Sequence, residues 1–445
     1  MAVKNNYDYI NIVNAINNAV GGLYNYTFPI VNDDNFKAMS AILNDAPLQI
    51  QNAWVDTLIN VACHTVIHKV YPDYNPFKYL YGYDIGLEGD DSQYVREVAI
   101  DQIVPIAYEA CGGADNFFKC EPPKVRVQYI CNILRSKYVV SVNPDLLISA
   151  FASDKEFGRF YDGITERMMY DMEQDDKEAI MAMLDAVVEG GNIYLIPQAR
   201  PVDSSTALNF AKTLEQLQYD MSFYRTREYN MNRLSTSTDP DRAVLIVSGD
   251  VIATQNKYNV AWAFNESVLK LLQDGRMIKI GSKGIADNKV YCIYTDEEYF
   301  KINNVKGFPK FRTWDNPDDL TQKRWIHNWK RFAISYFSNA IAFATPEDIG
   351  VESVKIHVKD DAPATVKKGG FLLMGLAEVT PVEGKICDAV CTYSMTGATD
   401  PTTRIDKFSG DIYVGKNETA EQLTVTATSH LDSTKTNQIT VTVTD

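Results

Sequence analysis

Apolar residues recur at three- and four-residue intervals through much of the first 340 positions, and then give way to short alternating runs. The first spacing places side chains on one helix face and the second on one strand face. Tyr9, Ile10, Ile12, Val13, Ile16 and Val20 form one helical stripe, expected to end at Gly21-Gly22. Ile50, Trp54, Leu58 and Val61 begin a second that continues through His64 to His68. The longest stripe spans 153–189. Ser153-Asp154-Lys155-Glu156 has the form of a capping box, with a hydroxyl for the third-position amide and a glutamate reaching back. No proline follows until Gly190-Gly191, which offers a left-handed stop. Phe157, Phe160, Tyr161, Ile164, Met168, Met172, Ile180, Leu184 and Val187 give this helix its apolar face. At 1.5 Å per residue it would be on the order of 50 Å long. Its other face carries Asp162, Glu166, Asp171, Glu173, Asp175, Asp176 and Glu178. That acidic row is expected to be solvated, a cation or partner site being the sharper alternative.

From 71 to about 134 the periodicity breaks up among Pro72, Pro76, Gly82, Gly86, Gly89, Pro105, Gly112, Gly113, Pro122 and Pro123. Strand-like pieces at 98–106 and 124–130 suggest a projecting β arm that needs neighbours to cover it. A further helical stripe covers 204–221. The apolar strand 243–247 then leads into Ser248-Gly249-Asp250 and a helical stretch through Phe264. Short strands at 276–280 and 290–294 make this part an α/β unit. The aromatic, alternating 325–336 and the apolar run to Phe343 read as a buried strand returning to the long helix.

At Thr345-Pro346-Glu347-Asp348-Ile349-Gly350 the pattern changes. Strands are expected near 354–358, 371–379, 389–394, 411–414, 423–429 and 439–444. Six or seven short strands in about ninety residues fit an immunoglobulin-like sandwich, without the Cys-Trp-Cys framework of antibody domains. The fold class is therefore α+β, a large mixed body followed by an all-β module.

Composition narrows the function more than it extends the fold. A length of 445 residues suggests two or three domains. The formal net charge of −15 argues against an open nucleic-acid-binding face. No run approaches the roughly 20 apolar residues of a membrane span, and the polar start lacks a secretory h-region. Seven scattered cysteines do not form a disulfide framework and suggest thiols kept reduced in a cytoplasm. The 26 Tyr and 19 Phe favour extensive protein contact, core filling being the plainer reading.

Candidate chemistry is sparse. Cys63-His64 with His68 puts two imidazoles one helical turn apart, but two further metal ligands are not visible nearby. Cys387 and Cys391, on one strand, would lie about 13 Å apart and could not bridge. Gly89-Asp90-Asp91 has the form of a polymerase magnesium tripeptide, yet sits in a glycine-punctuated loop. Gly281-Ser-Lys-Gly284 lacks the spacing of a phosphate loop. No catalytic, cofactor-binding or metal-binding residue is assigned, no cofactor is expected, and the chain reads as a non-enzyme.

The order of parts resembles tailed-bacteriophage major capsid proteins of the Hong Kong phage (HK-97-like) fold, closest to those of short-tailed phages of the phi-29 type. The resemblance rests on Asn75-Pro-Phe-Lys78 with Gly82, Gly86 and Glu88; Gly158-Arg-Phe160; Val244-Leu-Ile-Val-Ser-Gly-Asp250; Ala261-Trp-Ala-Phe-Asn265; and Arg331-Phe-Ala with Ser338-Asn-Ala-Ile-Ala-Phe343. Beyond 351, Leu372–Val379, Ile405–Val414 and Leu423–Thr428 resemble the bacterial group 2 immunoglobulin-like domain, with Tyr393 where that domain often has Trp. The resemblance implies an N-terminal arm over 1–70 and an E-loop-like arm over 71–135. It also implies a P-domain over 136–200, an A-domain over 201–324, a return over 325–348 and the Ig-like domain over 351–445. It implies self-assembly, as pentamers and hexamers, into an icosahedral or prolate shell around double-stranded DNA that is held without sequence-specific contact. Expected partners are a scaffolding protein, a portal or connector and head fibres, with no membrane. The location would be the virion, assembled in the bacterial cytoplasm. The alternative is a cell-surface adhesin or polysaccharide-active enzyme with an Ig-like accessory domain.

Overall fold

The computed structural model describes residues 9–70, 77–82, 95–100, 125–130, 133–142, 144–223, 225–259, 276–282, 284–305, 310–315 and 322–445. Most of the expected arm, including Gly86, Glu88 and Gly89-Asp90-Asp91, lies outside them, as does Ala261–Asn265. The helices are α1 (Tyr9–Tyr24), α2 (Ala38–Asp45), α3 (Leu48–Val70), α4 (Pro144–Ala150), α5 (Asp154–Glu189), α6 (Ser204–Phe223) and α7 (Gly249–Asn259). Body strands are β1 (Val95–Ile100), β2 (Val125–Ile130), β3 (Ile133–Val142), β4 (Tyr194–Pro197), β5 (Ala243–Ser248), β6 (Met277–Ile280), β7 (Val290–Asp296), β8 (Phe300–Asn304), β9 (Lys310–Asp315), β10 (Gln322–Ile334) and β11 (Ala340–Ala344).

The first half of α5 belongs to a helical core. Val13, Ile16, Trp54, Leu58, Phe151 and Phe157 meet there, and Trp54 Nε1 donates to the buried Asn17 Oδ1 at 2.8 Å. The expected stop of α1 at Gly21-Gly22 is not where it ends. The helix continues to Tyr24, and Asn25 takes the left-handed conformation (φ 51°). Gly21 serves close approach instead: a Cβ there would stand 2.6 Å from the Tyr26 carbonyl oxygen. Gly158 has the same use on α5, because the Tyr9 ring lies 2.6 Å from where its Cβ would be. At the start of α5 only half of the capping box forms. Ser153 accepts from the Glu156 amide, while the Glu156 carboxylate turns to Arg159 at 2.6 Å.

The second half of α5 lies under a five-stranded sheet of order β4-β11-β7-β5-β6. Its Ile180, Leu184 and Val188 pack on Val244, Ile293 and Ala342. Across the sheet, Phe210, Leu214 and Met221 of α6 and Val251 of α7 cover Leu245, Tyr291 and Phe343. Every residue of β5, β7 and β11 is buried, as strands covered on both faces require. The single returning strand expected across 325–343 is thus two strands in two sheets. β10 pairs with β3, β8 and β9, whereas β11 lies between β4 and β7.

After the 3-10 turn Pro346–Asp348 come β12 (Val351–Lys355), β13 (Thr365–Lys367), β14 (Phe371–Leu372), β15 (Glu378–Pro381), β16 (Cys391–Thr396), β17 (Arg404–Ile405), β18 (Ile412–Tyr413), β19 (Gln422–Ser429) and β20 (Thr436–Thr444). The sheets β13-β20-β19-β16 and β14-β18-β17 share a core of Val366, Leu372, Tyr393, Ile412, Leu423 and Val425. The strand expected over 371–379 is interrupted, because Gly375 lies against the His357 ring and its amide donates to the His357 carbonyl at 3.0 Å. Cys391 opens β16, but Cys387 sits in the preceding loop, so the two do not share a strand; both are buried free thiols.

Candidate assembly surfaces and the joint to the C-terminal module

The module is fastened to the edge of the five-stranded sheet. Among the described residues, β4 has a strand neighbour, β11, on one side only. On its other side the Leu195 amide donates to Asp388 Oδ2 at 2.9 Å, and the Leu195 carbonyl lies 3.1 Å from His430 Nε2. A carbonyl can only accept, so Nε2 carries the proton. The His430 ring stacks near Tyr194, with centroids 4.3 Å apart, and the Tyr194 hydroxyl sits between Glu228 Oε1 (3.2 Å) and His430 Nδ1 (3.4 Å). Three residues before β4, the Gly191 carbonyl accepts from the Ala389 amide at 3.1 Å. Gly191 (φ +66°) both closes α5 and admits this loop: a Cβ would stand 3.2 Å from the Cys387 carbonyl.

Charge holds the joint as well. Arg227 pairs with Asp406 at 2.7 Å and lies over the Phe408 ring. Buried Arg233 donates to the Glu228 carbonyl at 2.7 Å and faces Asp388 electrostatically. Asp388 is fully buried, and burial pushes its carboxyl up to about 6. His430, the Leu195 and Val390 amides and Arg233 oppose that rise without cancelling it. Flanking Ile386 and Val390 enter the two cores on either face of the body sheet.

The acidic row on α5 is solvated in part, Asp171, Asp175 and Glu178 being exposed, but two of its members are engaged. Tyr9 donates to Asp162 at 2.7 Å, and Asp176 forms an ion pair with Lys330 of β10, whose side chain is 2% exposed. Burial raises the Asp176 carboxyl, with Lys330 opposing. The reason is topological: β3 and β10 cross this part of the helix. Elsewhere Arg200 grips Asp250 with two nitrogens, at 2.8 and 3.0 Å, and reaches Asn288 Oδ1 at 2.6 Å.

These groups lock elements together and offer no arrangement for chemistry. A cleft of about 380 Å³ beside α6, lined by Pro197, Gln198, Thr206, Asn209 and Thr213 among others, contains no titratable side chain. Among the described residues, no group of His, Cys, Asp and Glu could hold a metal, and no helix is long and apolar enough to cross a membrane. Cys63, His64 and His68 fall on α3, but their side chains are outside the description. Apolar side chains do face outward, Leu208, Tyr219 and Phe223 on α6 and Phe371, Leu373 and Leu376 on the module. Sequence reasoning missed Asp388, His430, Arg233 and Lys330. The available signal was a charge set inside an apolar run, as in Ile386-Cys-Asp-Ala-Val390 and Trp329-Lys-Arg-Phe332.

A protein-family model described as Phi29-like phage major capsid protein matches residues 13–344. The match stops where β11 ends, just before the joint. The chain is 26% identical over 432 residues to the major capsid protein of Bacillus phage B103, covering 96% of this chain and 91% of that one. It is 25% identical over 434 residues to the major capsid protein of Bacillus phage PZA, with the same coverage, 96% and 91%. Among solved structures it is similar to the capsid of Staphylococcus phage Andhra, with TM-score 0.47 and 13% identity over 62% of this chain and 88% of the other.

Proposed function

The chain belongs to the Phi29-like phage major capsid protein family, and from that membership we propose how its parts serve a phage head. As a major capsid protein it is structural, not an enzyme, and its place is the virion. The family match over 13–344 carries this reading.

The finer assignments are these. The body takes the HK-97-like plan: arm 1–70, E-loop 71–135, P-domain 136–200 with α5 as spine, A-domain 201–324 and return 325–348. Residues 351–445 form a bacterial group 2 immunoglobulin-like domain displayed on or between capsomers. Many copies close into pentamers and hexamers, through heterologous contacts whose rotation closes, to form an icosahedral or prolate shell. Scaffolding protein, portal or connector and head fibres are its partners, and assembly takes place in the host cytoplasm. The net charge of −15 gives packed DNA a wall that does not hold it. Electron microscopy of the purified chain, with and without its scaffolding partner, tests the reading. Shells or rings are expected; a persistent monomer with glycan-cleaving activity would overturn it in favour of the accessory-domain alternative.

A further inference from the structure

A strand with one neighbour presents unpaired amides and carbonyls on its other side, and these are a template for another chain. β4 is such a strand, and its parity can be read from its bonds. The Gln198 amide bonds to Ala344 of β11 at 2.9 Å, while that of Leu195 points the opposite way, to Asp388. Backbone groups alternate in direction along a strand. Residues 194, 196 and 198 therefore face β11, and 195 and 197 face the open edge. Position 197 is proline, which has no amide to donate. That leaves Leu195 as the one outward residue of β4 with both backbone groups available.

Both are taken. The Asp388 carboxylate stands where a neighbouring strand's carbonyl would be, and the protonated His430 Nε2 where its amide would be. The two side chains come from separate places in the module, the loop before β16 and the residue after β19. Within the module Asp388 faces His430 and accepts from the Val390 amide two residues on, at 3.3 Å, whereas its shorter bond and its Arg233 neighbour belong to the body. A fully buried carboxylate is costly to keep, so its placement at this edge calls for a use.

We propose that the C-terminal module is an edge cap: by imitating a strand with Asp388 and His430 it closes the open side of β4, so that copies of this chain do not join edge to edge before they assemble. The consequence for assembly rests on the capsid reading above; the capping itself does not.

Residue-resolved hydrogen exchange on the full-length chain tests it. In Asp388→Ala, which removes the acceptor of the Leu195 amide, exchange of that amide should accelerate by about tenfold or more, while that of Gln198 stays as in the wild type; His430→Ala frees only the Leu195 carbonyl and is read by association. Asp388→Asn keeps an acceptor oxygen and should leave Leu195 protected. Light scattering before assembly should show the alanine variants forming soluble oligomers that the wild type and Asp388→Asn do not. Unchanged Leu195 exchange in Asp388→Ala overturns the cap. So does equal acceleration at Leu195 and Gln198, which would mean that the residues merely hold the fold. Faster Leu195 exchange without extra association overturns the guarding role. If the wild type forms no shells even with its scaffolding partner, yet its Leu195 amide depends on Asp388 in this way, the capsid reading fails and the cap stands.

Discussion

Asp388 and Glu418 are equally hidden, 0% and 1% exposed, yet their acidities move in opposite directions. Burial opposes ionisation in both, and for Asp388 it prevails. Around Glu418 it does not. The hydroxyls of Thr399 and Thr403 and the amides of Thr399, Asp400, Thr419 and Ala420 all donate to its two oxygens, and they hold it well below the usual glutamate range. Asp388 receives two amides. Asp388 lies deeper within the protein, and Glu418 has the larger donor supply; both differences push the two acidities apart. The difference follows their positions. Glu418 sits among turns of one module that can all be folded around it, whereas Asp388 must find its partners on a different part of the chain.

Glu418→Ala should do the most damage. The hydroxyls can turn to other acceptors but the four amides would face a void, and at about 1 kcal/mol each, the lower end of the usual cost, the module loses about 4 kcal/mol, read as an earlier calorimetric transition. Next comes the pH response of the joint. A raised carboxyl pKa means that the folded chain binds the proton more readily, so Asp388 favours the folded state most below about pH 4. That advantage is lost as pH rises through about 6, at most about 3 kcal/mol. Urea titrations across this range should show the slope in the wild type and its loss in Asp388→Asn. Glu418 has the reverse sign: its support is present above the ordinary glutamate range and lost as pH falls toward its depressed value. The smallest effect is expected from Thr403→Val, which removes one hydroxyl donor from Glu418 at about 1–2 kcal/mol and moves its carboxyl part of the way back up. If Thr403→Val leaves the Glu418 titration unchanged, donor supply is not a cause of the contrast.

Local patterns in the sequence were sufficient where one element decides its own form. The α5 stripe, its Ser153 cap, the apolar β5 and the alternating β19 and β20 are all of this kind. They failed where a distant neighbour decides. Asp176 looks like any solvated helix acid until β10 brings Lys330 over it, and Gly21 looks like a stop until Tyr26 folds back upon it. In the sequence the joint shows only as a change of pattern at 345–350, not as a contact. Asp388 is separated from Leu195 by 193 positions, and periodicity carries no information over that distance. Short strands such as β4, β14, β17 and β18 hold too few residues to show alternation at all.

The 36 residues of α5 span about 54 Å, with one end set in the helical core and the other beneath the sheet. A rod of that length is a lever: tilting one end by a single degree displaces the other by about 1 Å. Copies at different positions in a shell therefore need differ by only a few degrees along this axis for their rims to meet at different heights.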